Sequence, residues 1–404
     1  MKTRILFVDD EPGILDGLRR LLRSYRNEWE MSFASSGQEA LAIVAEQSID
    51  AVVTDMRMPG MDGSQLLNEL ARCHPEIVRF VLSGYSDDEM IIKSVGTAHQ
   101  YLSKPCDSDL LKAALSRALS LRKLLHEERL LALVSGVSSL PSLPEVYLEI
   151  LETLRSDGAS LRKVGETISR DPAITAKVLQ LVNSAFFGLG RKISNPADAA
   201  SLLGLDVLKT LALSAGVFSQ FDQNKISTSD FSLAQVFDHC IAVGLLGKRI
   251  AASEEAESNL VSECLLAGTL HDLGKLIIVN EYPEEYARMR LMAKGEGMSE
   301  YLAEKEILGA THAEVAAYLL GLWGFTDSVV EAVAYHHQPG LSSYAEFTPL
   351  TAVHVANALE GAAQANERTA PCAGLDMSYL EASGLADRLE SWGRLRESAG
   401  DSRK

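Results

Sequence analysis

Five short apolar runs within the first 105 residues set the tightest limit on what this chain can fold into: ILFV (Ile5 to Val8), MSFA (Met31 to Ala34), AVVT (Ala51 to Thr54), RFVL (Arg79 to Leu82) and QYL (Gln100 to Leu102). None alternates strictly with polar residues, as a strand with one wet face would, so each is expected to be covered on both sides. Helix-period stretches separate them, beginning with the apolar positions from Ile14 to Leu22. Strands and helices alternating in this way predict an α/β fold, a doubly wound parallel (βα)5 sheet.

Open sheets of this type collect their chemistry outside the C-terminal ends of the strands. Here Asp9 and Asp10 end the first strand, Asp55 the third, Ser83 the fourth, and Lys104, followed by Pro105, the fifth. Three carboxylates in one crevice repel one another, and a hard divalent cation with oxygen ligands, Mg²⁺ being the usual choice, relieves the repulsion. A carboxylate beside a metal and an ammonium is suited to attack a phosphoryl group, because both cations offset charge on the phosphoryl oxygens. Ser83 can donate to one such oxygen and Lys104 can pair with another.

Through VDDEPG, TDMRMPGMDG, LSGYS and YLSKP, residues 1 to 125 resemble a response-regulator receiver domain. The resemblance implies Asp55 as phospho-acceptor, and Asp9, Asp10, Asp55 and the backbone carbonyl of Arg57 as the Mg²⁺ ligands. It implies Ser83 and Tyr101 as the hydroxyl and aromatic switch residues, Lys104 as the phosphate-binding lysine, and a cognate histidine kinase as partner.

After Pro105 the pattern turns helical. Leu111, Ala114, Ala118, Leu121 and Leu125 recur at steps of three and four, so the last receiver helix is expected to run on as a connector to about residue 134. That stripe is also a candidate seam for a homodimer. LPSLP (Leu140 to Pro144) then punctuates the chain, and only helix-period segments follow, with cap signals at Asp171-Pro172 and Asn195-Pro196. The expected organisation is a receiver over 1–125, a connector over 126–139, an all-α domain over 140–365 and a tail over 366–404, whose packing the sequence leaves open.

Six of the nine histidines (His239, His271, His312, His336, His337 and His354) fall in the helical domain. His271 and Asp272 stand among leucines in LLAGTLHDLGKLI, where an unpaired polar group costs about 1–3 kcal/mol, and Lys275 lies one turn on. The series resembles the HD superfamily of metal-dependent phosphohydrolases, which implies His239, His271, Asp272, His312, His336 and His337 as ligands to a divalent metal (Mn, Fe or Zn). Two departures stand out. The superfamily's closing aspartate is Asn357 here, and HHQPGLSSY lacks the GYP signature of cyclic di-GMP phosphodiesterases. ISRDPAITAKVLQLVNSAFFGL (Ile168 to Leu189), preceded by LPSLPEV and followed by AASLLGLDVLKTLALS, resembles the narrower HDOD domain, a signalling output module often without the catalytic set.

A formal net charge of -17 argues against attraction to nucleic acid or anionic membranes. The five cysteines never form a Cys-x-x-Cys pair, and MKTRILFVDDEPG has too short an apolar run for a signal-peptide core or a membrane span. The expectation is a cytoplasmic response regulator of phosphorelay signalling, in which phosphorylation of Asp55 controls HDOD engagement of a protein or small molecule rather than DNA. The alternative is a receiver-controlled metal-dependent phosphohydrolase acting on a cyclic dinucleotide or nucleotide.

Overall fold

The computed structural model describes residues 2–83, 97–104, 108–121, 125, 128–137, 140–142, 146, 149–150, 153, 160–183, 192–213, 218–220, 231–342, 346–364 and 374–400. All five apolar runs are strands: β1 (Thr3–Val8), β2 (Trp29–Ala34), β3 (Ala51–Asp55), β4 (Val78–Ser83) and β5 (Gln100–Ser103). They pair in parallel in the order β2-β1-β3-β4-β5. Helices α1 (Pro12–Leu21), α2 (Gly37–Glu46), α3 (Gly63–Cys73) and α4 (Ser108–Leu121) flank the sheet. The central strand β3 is buried along its whole length, as a run without polar alternation requires. Ser36 caps α2 and Asp62 caps α3, the latter in a capping box with Gln65, which fixes where the chain leaves each strand-end loop.

The connector is not one continuous helix. α4 and α5 (Glu128–Gly136) are separate, and Leu125 between them is non-helical. Leu111, Ala118 and Leu125 are buried inside the chain. These three residues of the stripe read as a dimer seam therefore serve the monomer's own core, in which α4 packs on a helix of the second domain.

The second domain is mostly helical: α6 (Leu161–Ile168), α7 (Pro172–Val182), α8 (Pro196–Leu213), α9 (Leu233–Ser253), α10 (Ser258–Leu270), α11 (Leu273–Glu281), α12 (Pro283–Glu296), α13 (Glu300–Leu308), α14 (His312–Leu322), α15 (Asp327–Tyr335) and α16 (Pro349–Gln364). Asp171 caps α7 through the amides of Ala173 and Ile174, and Asn195 caps α8 through that of Ala197. One feature departs from an all-helical reading: β6 (Leu140–Ser142) and β7 (Phe218–Gln220) pair in parallel. Three-residue strands are too short to leave a period in the sequence, and Pro141 is tolerated because the ladder has only two strands. Beyond residue 374, α17 (Met377–Ala382) and α18 (Leu389–Gly400) pack back onto the domain. Trp392 is fully buried, with its indole donating to Glu254 Oε1 (2.9 Å).

Among the described residues the receiver is fastened to the helical domain both directly and by way of α5, and Gln180 of α7 reaches the Ala98 and His99 carbonyls (3.5 and 3.4 Å). The Arg79 side chain, fully buried at the start of β4, donates to the carbonyls of Pro75, Ile77, Thr97 and, across the junction, Ser135 of α5 (2.6 Å). His99 accepts the Arg79 amide at Nδ1, so its Nε2 carries the proton given to the same Ser135 carbonyl (2.7 Å). Ser135 Oγ meets Tyr318 Oη of α14 (2.8 Å). Gln100 and Arg117 bond the turn between α14 and α15.

Candidate functional site

At the C-terminal edge of the receiver sheet, β1, β3 and β5 bring Asp9, Asp55 and Lys104 together. Lys104 Nζ donates to Asp9 Oδ2 (2.6 Å) and makes a second, short bond to Asp55 Oδ1. The other Asp55 oxygen accepts the Arg57 amide (2.7 Å), which holds the loop carrying the Arg57 carbonyl beside it. Asp9 and Asp55 are buried and Asp10 is partly exposed. Burial pushes the Asp55 carboxyl up from its ordinary range, partly offset by Lys104 and the Arg57 amide. Burial opposes the charge on Lys104 as well, but Asp55 and Asp9 outweigh it and raise its pKa. Three carboxylates facing one ammonium leave negative charge for a hard divalent cation to balance, so the residues fit Mg²⁺. Ser83 ends β4, but its side chain lies outside the described residues. Tyr101 on β5 is buried, only 2% exposed.

The second site is built by close helix crossings. α9 and α10 approach through Gly244 and Gly268, where a Cβ on Gly268 would stand 2.7 Å from the Gly244 Cα. A Cβ on Gly274 would lie 2.0 Å from the His312 carbonyl, so only glycine lets the start of α14 close over α11. These contacts collect all six matched ligands into two groups, His239 with His271 and Asp272, and His312 with His336 and His337.

Asp272 stands between the groups. Its Oδ1 lies 3.1 Å from His312 Nε2 and 4.0 Å from His336 Nε2. Its Oδ2 lies 3.5 Å from His271 Nε2, 4.0 Å from His239 Nε2 and 2.7 Å from Lys275 Nζ. His271 gives its Nδ1 proton to the Gly268 carbonyl (2.7 Å) and His336 gives its own to Val333 (2.8 Å). Both Nε2 atoms are therefore bare lone pairs, buried and without hydrogen-bond partners. Two orphaned imidazole nitrogens aimed at one buried carboxylate fit a divalent metal, and backbone-fixed tautomers are how such ligands are held ready.

Burial lowers His271 to about 4, against the pull of Asp272, and holds His336 and His337 well below the usual imidazole range, helped by the imidazoles around them and, for His337, by Lys275. His312 differs. Burial opposes its charge too, but Glu304 and Asp272 raise it to about 9. Asp272 is held well below the carboxylate range, because His271, Lys275 and His312 outweigh its burial.

Asn357, in the closing position, accepts from His239 Nε2 (2.9 Å) and so occupies the nitrogen that would otherwise ligate. His354 is structural: it donates to the His336 carbonyl and accepts the Asp376 amide. Sequence reasoning missed Glu304, whose Oε2 accepts from both His312 Nδ1 and the His312 amide (2.7 Å each). Its signal is faint, a glutamate eight residues ahead of a candidate ligand across the Gly309 helix stop. Beside the second group, Tyr301 stacks on His337, and both line a pocket of about 220 Å³ with Tyr335 and Gln338.

Two protein families match separate parts of the chain. The response regulator receiver domain family matches residues 5–116, and the HDOD domain family matches residues 140–339. An uncharacterized protein of Treponema pallidum is 24% identical over 208 residues, 51% of this chain and 39% of its own length. The hydrogenase transcriptional regulatory protein HoxA of Cupriavidus necator is 41% identical over 112 residues, 27% of this chain and 23% of its own. The chain thus spans less than half the length of either relative. The MmoQ response regulator of Methylococcus capsulatus is similar in structure at 22% identity and a TM-score of 0.48, over 63% of this chain and 98% of that one. Among the described residues no helix is long and apolar enough to cross a membrane. The chain thus carries a response regulator receiver domain followed by an HDOD domain.

Proposed function

We propose that Asp55 accepts a phosphoryl group and that its phosphorylation controls how the HDOD domain engages a protein or small-molecule partner, without DNA binding. The observation that carries this reading is the Lys104 ammonium lodged between Asp9 and Asp55 at facing strand ends. An Asp55 oxygen attacks phosphorus, and the donor's bond to phosphorus breaks as the acyl phosphate forms. Lys104 leaves the carboxylate for a phosphoryl oxygen, while the Arg57 amide keeps the second Asp55 oxygen in place. Asp9, Asp10, Asp55 and the Arg57 carbonyl would hold Mg²⁺, which when bound supplies positive charge against the phosphoryl oxygens. The product carries roughly 1.5 to 2 negative charges where Asp55 carried one. A near-complete switch requires about 5 kcal/mol of difference between the two states. Acetyl phosphate with Mg²⁺ is expected to add one phosphoryl group by intact mass, and undiminished addition to Asp55→Asn would refute the assignment.

A second reading, metal-dependent phosphodiester hydrolysis in the HDOD domain, is favoured by the bare Nε2 atoms of His271 and His336. Charge argues against efficient turnover. Asp272 is the one carboxylate among the matched ligands, Lys275 already neutralises one of its oxygens, and Asn357 brings no charge. Two divalent ions would meet too little negative charge, so a second ion binds weakly. Cyclic di-GMP and a model phosphodiester with Mn²⁺ or Fe²⁺ are expected to turn over at background rate. Activity well above background that disappears in His271→Ala/Asp272→Ala would make the protein an enzyme.

The absence of DNA recognition rests on the net charge of -17. Nanomolar affinity for one duplex at physiological salt would contradict it.

A further inference from the structure

We propose that α14, α15 and the turn between them form a lever that carries the state of the receiver to the histidine cluster. The turn is held by the receiver, and the opposite end carries His312, His336 and His337. α14 begins at His312, α15 runs directly into His336 and His337, and His312 Nε2 meets His337 Nε2 at 3.2 Å. The two helices pack against each other, and the other end of the pair is a short turn, Trp323 to Thr326, built around Gly324 in the left-handed region (φ 77°).

Receiver side chains grip that turn. Gln100 Nε2 donates to the Leu322 carbonyl (2.9 Å), one of the terminal carbonyls a helix cannot satisfy internally. Its amide group also lies over Gly324, where an added Cβ would come within 3.2 Å of the amide carbon. Arg117 of α4 donates to the Phe325 carbonyl (3.0 Å) and pairs with Asp327 in the first turn of α15 (2.7 Å). Gln100 is adjacent to Tyr101 and four residues before Lys104, so the strand that meets the phosphoryl group also holds the lever's tip.

Every residue of α14 except the half-buried Glu314 is buried, over a helix about 16 Å long. A packed helix of this kind moves as a unit rather than bending residue by residue, so displacement at Leu322 reaches His312. The lever gives the same HDOD site its regulation, and it rests on the reading of Asp55 as phospho-acceptor.

Hydrogen exchange of the full chain, with and without acetyl phosphate and Mg²⁺, tests the proposal in peptides spanning 304–316 and 333–340. Wild type is expected to change exchange there by about fivefold or more on phosphorylation, the lower end of ordinary coupling. Gln100→Ala/Arg117→Ala is expected to take label at Asp55 as wild type does, yet show less than about half of that change. Labelled wild type with unchanged exchange, or an equal change in the variant, overturns the lever. If Asp55 takes no label, the phospho-acceptor reading fails by itself. The lever is then judged without phosphate: exchange in the two peptides must differ between variant and wild type, and identical exchange overturns it.

Discussion

Asp272 and His312 define the chemistry of the second site, because each is buried and each answers to two partners. Glu304 and Asp272 bracket His312 from its two nitrogens and hold it protonated up to a pKa of about 9. An imidazole charged in the folded state and with an ordinary value near 6.5 when unfolded contributes stability that is complete below about pH 6.5 and is lost as pH rises through about 9. In chelator-treated protein, Glu304→Gln is therefore expected to lose more stability relative to wild type at pH 6 than at pH 9, by urea denaturation. Titrations common to both proteins cancel in that difference, and a pH-independent gap would contradict the assignment. Glu304→Gln is also expected to weaken Mn²⁺ binding about 10- to 100-fold, as loss of an outer-shell carboxylate does.

α7 shows what a fully enclosed helix does to a charged residue. Lys177 is 2% exposed, sits 4.1 Å above the Trp323 ring, and is lowered to about 7 by burial. A lysine whose folded pKa lies below its unfolded one makes the protein more stable as pH rises from about 7 to about 10, since the unfolded chain holds the proton over that window. Lys177→Met is expected to stabilise the protein more at pH 6 than at pH 9 in chemical denaturation. An equal effect at both values would show that the ring contact, rather than burial, governs the site.

At the same scale, the strands of the receiver were legible because each is long enough to print an apolar run, and the pocket because its residues fall at strand ends. The histidine cluster was legible through the His271-Asp272 pair and the spread of histidines along the helices. The β6–β7 ladder was not, for want of length, nor was the break at Leu125, where a helical period continues through a residue that is not helical. Glu304 and the Arg79–His99 pair depend on tertiary contacts between segments whose sequences carry no shared pattern.

In the whole molecule the receiver and the HDOD domain share buried polar groups, which makes their boundary a physical one. Ser135 is 56 residues from Arg79 in sequence, yet its carbonyl accepts from both Arg79 and His99. Burial lowers Arg79 to about 10 and holds His99 well below its ordinary range, next to the guanidinium charge. A receiver fragment ending at residue 121 loses that carbonyl. It is expected to be less stable than one ending at 137 by about 1–3 kcal/mol, the cost of a buried donor left unsatisfied, by thermal or urea unfolding. Equal stability of the two fragments would mean that water replaces Ser135 without cost.

The Arg79–Ser135 contact also bears on how such a chain can be assembled from parts. A receiver transplanted from another regulator at the end of α4 would arrive with whatever its own fourth strand carries at the position of Arg79, and the Ser135 carbonyl would meet an unmatched surface. A receiver that lacks the same guanidinium and imidazole at that edge would leave the Ser135 carbonyl without its donors, whereas a receiver moved together with α5 keeps them.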